Sequence, residues 1–75
     1  MNNKSVKLTG KMYGVDHLEW HENIKEAAES AYYAIEFNEF YPVIIEMPDG
    51  EIIWSMAEDK GRSKLSKLAE INDSL

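Results

Sequence analysis

Hydrophobic and polar positions alternate from Val6 to Tyr13. Val6, Leu8 and Met12 point one way, and Lys7, Thr9, Lys11 and Tyr13 the other. A period of two predicts a half-buried strand, with Gly10 as a bulge and Gly14 as its end. The period then changes. Asp16 reads as an N-cap with Glu19 three residues on, a capping-box spacing, and Val15 and Trp20 as the flanking staple. Trp20, Ile24, Ala27, Ala28, Ala31, Ala34 and Ile35 fall on one stripe at 100° per residue, which predicts one long amphipathic helix from Asp16 to Asn38. Asn38 suits a left-handed cap, and Pro42 forces extended backbone on Tyr41.

Val43–Met47 and Glu51–Met56 read as two strands joined by Pro48-Asp49-Gly50, a hairpin in which Gly50 takes positive φ. Val43, Ile45, Met47, Ile52, Trp54 and Met56 are expected on the core face, and Ile44 and Ile53 on the far face. A last helix starts with Ser63 as its cap. Its stripe is Leu65, Leu68, Ala69, Asn72 and Leu75, and it needs docking because Lys64 and Lys67 sit at its positive end. The expected fold is α+β, in the order β-α-β-β-α: one amphipathic helix on a three-stranded, mainly antiparallel sheet, plus a short C-terminal helix. The 75 residues make a single domain, with residues 1–5 disordered. The first strand is expected beside Glu51–Met56, fully antiparallel, with a right-handed crossover that sets it beside Val43–Met47 as the alternative. The far face is expected to be covered by a second copy of the chain or by the C-terminal helix.

Charge sharpens this picture. Three lysines and no acid occupy residues 1–14, and twelve acids against Lys25 alone occupy residues 15–59. Four cations against two acids close the chain, for a net charge of −6. An acidic centre opposes direct nucleic-acid binding and favours a basic partner. There is no cysteine, in keeping with a reducing cytoplasm. No apolar run reaches the roughly 18 residues of a membrane span.

The chemistry that can be read is sparse. His17 and His21 share a helix face at i and i+4, but the intervening Glu19 fits no zinc-hydrolase motif and no third ligand is evident. Carboxylates on one convex helix do not converge across a cleft, so no catalytic pair, metal site or cofactor is expected. Recognition remains. On the predicted helix Glu19, Glu22, Glu26, Glu29, Tyr33 and Glu36 form one ridge about 26 Å long, with carboxylates about every 5 Å. DNA carries a phosphate every 3.4 Å or so along each strand. Tyr33 offers an amphipathic anchor within the ridge.

In size and charge layout this resembles small acidic phage-encoded DNA-mimic inhibitors. The resemblance implies a non-enzymatic protein that blocks a basic, DNA-binding host protein, such as a histone-like nucleoid protein. The alternative is an interaction module, antitoxin-like or a regulatory subunit, that binds through Phe37, Phe40, Tyr41 and the C-terminal helix.

Overall fold

The computed structural model describes residues 5–70. Strand β1 (Val6–Met12) turns back into strand β2 (Val15–His21), and helix α1 (Ile24–Glu36) follows. Strands β3 (Tyr41–Glu46) and β4 (Ile52–Ser55) form a hairpin, and helix α2 (Ser63–Ala69) closes the described chain. The class is α+β, as the pattern predicts, but the sheet has four strands. All neighbours are antiparallel, in the order β2-β1-β3-β4.

The extra strand corrects the expected helix from Asp16. Residues 15–21 also alternate, and tertiary pairing selects that period. Tyr13 and Gly14 both take positive φ, 53° and 81°, and so form a two-residue hairpin loop that sets Met12 opposite Val15. Asp16 caps nothing and pairs with Lys11 across the hairpin. The helix instead starts after Asn23, whose backbone is extended and whose Oδ1 accepts the Glu26 N–H at 2.8 Å. Its far end is as expected. Asn38 is left-handed, and the Glu39 and Asn38 amides donate back to the Ala34 and Ile35 carbonyls.

The new strand also changes which strands are neighbours. A chain that reverses once before α1 returns antiparallel to β1, so β3, and not the Glu51–Met56 strand expected there, lies beside β1, and no crossover is needed. Gly10 sits at the register shift between β1 and β3, where Tyr41 and Pro42 press on its backbone.

Leu8, Ile45 and Trp54 face α1 across three adjacent strands. Ala27, Ala28, Ala31 and Ala34 let the helix axis approach them closely. Ile24 and Ile35 pack at the margins of this core. Trp20, expected in the helix stripe, lies outside it on the far face of β2. The Pro48-Asp49-Gly50 loop forms as expected, with Gly50 at φ 92° and its amide on the Met47 carbonyl. A bulge between Ile45 and Glu46 then puts Ile52 rather than Ile53 on the far face, and Ile53 packs against the core.

Helix α2 packs Leu65 and Ala69 beside α1, on the same side of the sheet, and does not fold over the far face. Its cap is Asp59, not Ser63: the Asp59 carboxylate accepts the Lys64 and Leu65 amides at 3.1 and 2.8 Å. A negative charge thus faces the positive end of α2, and Lys67 falls in its last turn. Asn72, Asp73 and Leu75 lie outside the described residues, as does the expectation for residues 1–4.

Candidate functional site

Of the six residues expected on one ridge, four lie on α1 and one just ahead of it. Glu22 precedes the Asn23 cap and is exposed, as is Glu26 in the first turn. Neither has an ion pair among the described residues. Glu29 accepts from Lys25 one turn away, and Glu36 pairs with Arg62 at 3.1 Å. The Glu29 hydrogen bond holds the Lys25 ammonium pKa above its ordinary value. Tyr33 is 44% exposed and Phe37 65%, and their rings stack in solvent with centroids 6.0 Å apart at 23°. Tyr32 meets Tyr33 edge-on, and Arg62 lies 5.0 Å from the Tyr32 ring centre. The outer face of α1 is therefore acidic at its N-terminal end and aromatic at its C-terminal end. Two of its carboxylates are already neutralised.

Glu19 is not part of this face. It sits on β2 and points to the helix side of the sheet, because it pairs with Leu8. An ionised carboxylate can only accept, so His17 and His21 each donate Nε2–H to it, at 2.9 and 2.8 Å. Ser30 of α1 donates its hydroxyl at 2.6 Å. Burial pushes the Glu19 pKa up, but the three hydrogen bonds from His17, Ser30 and His21 outweigh it and hold the carboxylate below its usual range. The cluster ties the edge strand to the helix.

Both histidines donate Nε2–H to Glu19 and lie on a strand, not at i and i+4 of a helix. Among the described residues no group of three or more His, Cys, Asp or Glu could hold a metal ion. His17 is further fixed by Phe40, ring centres 4.1 Å apart.

The aromatic segment is divided by the fold. Phe40 is half-buried on His17, Phe37 joins Tyr33, and Tyr41 lies exposed on β3. Tyr41 borders an open cavity of about 410 Å³ with Met12, Tyr13, Ile35 and Phe40. The apolar stripe of α2 is used against the core, so that helix offers no free apolar face among its described residues.

Sequence reading missed three participants: Phe37 as the partner of Tyr33, Arg62 as the counterion of Glu36, and Asp59 as the buried cap of α2. The first was legible, since 33 and 37 are one helical turn apart. Compared with protein-family models, curated proteins and solved structures, the chain matches none. No helix among the described residues is long and apolar enough to cross a membrane.

Proposed function

We propose that this is a non-enzymatic recognition domain that binds a basic protein through the outer face of α1. The observation that carries the reading is the Tyr33–Phe37 pair, stacked in solvent on the helix whose N-terminal acids, Glu22 and Glu26, have no ion pair among the described residues. Folding gives no reason to leave two rings in water on the helix face that carries Glu26, about two turns from Tyr33. A partner rich in Arg and Lys supplies one: its cations meet carboxylates by charge-assisted hydrogen bonds and ring faces by cation–π attraction.

Glu22, Glu26, Glu29, Tyr33 and Glu36 form the contact row, Phe37 joins it, and Glu19 leaves it. DNA-binding proteins, a histone-like nucleoid protein among them, are the partner class whose cationic surface suits this row. Occupying that surface would block DNA. The thirteen-residue α1 spans about 20 Å, so the row is shorter and more irregular than a phosphate strand. The aromatic pair has to supply what the missing charges do not. The setting that suits a cysteine-free inhibitor of this kind is a reducing cytoplasm, that of a bacterial host if the chain is phage-encoded.

The test is titration of a purified histone-like nucleoid protein at low and high salt, against the parent chain and two variants. Glu22→Lys with Glu26→Lys should abolish low-salt binding, and Tyr33→Ala should weaken it at every salt concentration. A second reading takes Tyr41 and the cavity beside it as the contact, with the glutamates merely solvated. Binding of a partner that ignores both salt and the charge reversal would favour that surface and overturn the first.

A further inference from the structure

The sheet has a second face that no described element covers, and it differs from the rest of the molecule in charge. Registers across the four strands place Trp20, Lys7, Glu46 and Ile52 in one row on that face. The next row begins with Leu18 on β2 and includes Ile44 on β3. Leu18, Trp20 and Ile52 are exposed there. Strand β2 thus carries its polar residues, His17, Glu19 and His21, towards the helices and its largest apolar residues away from them. Each cation on the face has an acid beside it: Lys7 lies 3.6 Å from Glu46, and Lys11 pairs with Asp16. The face is therefore neutral in a chain whose net charge is −6. Two copies repel through α1 and do not repel here.

The row is also self-complementary. A two-fold axis parallel to the strands, between β1 and β3, carries β2 onto the β4 position and β1 onto the β3 position. It would lay Trp20 over the partner's Ile52 and Lys7 over the partner's Glu46, with both contacts repeated by symmetry. Aligned packing of two sheets about 10 Å apart accommodates side chains of this size.

We propose that the bare sheet face is the contact between two copies of this chain, packed face to face with Trp20 and Leu18 of each against the β4 side of the other. Four strands at about 4.8 Å and three residue rows give a footprint near 400 Å² per copy. That is below the roughly 800 Å² of a standard interface, so the pair exchanges with monomer rather than being obligate. The α1 faces then point outwards on opposite sides, and the assembly is independent of what α1 binds.

Sedimentation of the purified chain over a wide concentration range tests this, together with acrylamide quenching of tryptophan. Trp54 is 1% exposed and Trp20 48%, so quenching reads Trp20 alone. Mass should rise towards dimer with concentration as Trp20 becomes protected, and Trp20→Glu should raise the dissociation constant at least about tenfold. Charge exchange is the sharper test. A chain with Lys7→Glu carries two acids in the row and a chain with Glu46→Lys two lysines. Each should stay monomeric alone, and the two mixed should dimerise. A parent chain that remains monomeric at every concentration overturns the proposal, as does a dimer in which Trp20 stays quenchable or the mixed variants show no preference for each other.

Discussion

The indole Nε1–H of Trp54 donates to Asp59 Oδ2 at 2.8 Å, and the same oxygen accepts the Leu65 amide at 2.8 Å. One buried carboxylate thereby joins the largest core side chain to the first turn of α2. Asp59→Ala leaves an indole N–H and two helix-terminal amides without their acceptor. It should cost about 2–3 kcal/mol, read as a fall in the urea midpoint with an unchanged slope.

Acid should act through two carboxylates. Burial pushes the Asp59 pKa up, but the Trp54, Leu65 and Lys64 hydrogen bonds outweigh it. Asp59 and Glu19 both end below their ordinary values of 3.8 and 4.5. The unfolded chain therefore binds these protons more readily. The stabilisation is complete above the ordinary values and is lost as pH falls through the depressed folded ones. Urea midpoints measured at a series of acidic pH values should fall in that window. The fall should be shallower in Asp59→Asn, which has no proton to gain at that site.

Glu19 and Glu26 separate structure from recognition. Glu19→Ala strips the acceptor from His17, His21 and Ser30 and should lower stability by about 1–2 kcal/mol, while binding to a basic partner stays unchanged. Glu26→Lys should do the reverse, costing less than about 1 kcal/mol through the helix dipole while weakening binding at low salt. Paired unfolding and titration curves decide it.

Tyr13 holds a left-handed backbone at the tip of the β1–β2 hairpin and is 96% exposed. Tyr13→Asn should stabilise the chain by about 0.5–1 kcal/mol, since Asn-Gly favours this turn. An unchanged or lowered thermal midpoint would mean that the ring has a structural contact.

Gly10 allows β3 to close on β1. A Cβ there would stand 2.5 Å from the Tyr41 carbonyl oxygen and 2.9 Å from the Phe40 ring. Gly10→Ala should cost about 1–3 kcal/mol and loosen the β1–β3 pairing, seen as faster amide exchange at Thr9 and Lys11.

Much of this molecule is determined locally, and the sequence suffices for it. The alanine stripe has only one use, a helix close to a sheet. Asn38, Pro48-Asp49-Gly50 and the Val6–Met12 alternation each impose a backbone geometry that neighbours need not supply. The charge totals follow from composition alone. Residues 15–21 are different. Val-Asp-His-Leu-Glu-Trp-His meets the capping rules of a helix and the alternation of a strand, and Asn23 with Glu26 offers a second, equally good helix start. Local chemistry does not choose between them. The Tyr13-Gly14 turn and seven residues of pairing with β1 do, and neither is worth anything until the chain folds back. That one choice turned Glu19 inward, set Trp20 on an open face, shortened the acidic row and moved β3 beside β1. Which carboxylates remain free, and which apolar residues remain uncovered, depends on sheet register, and register is a property of strands paired in space.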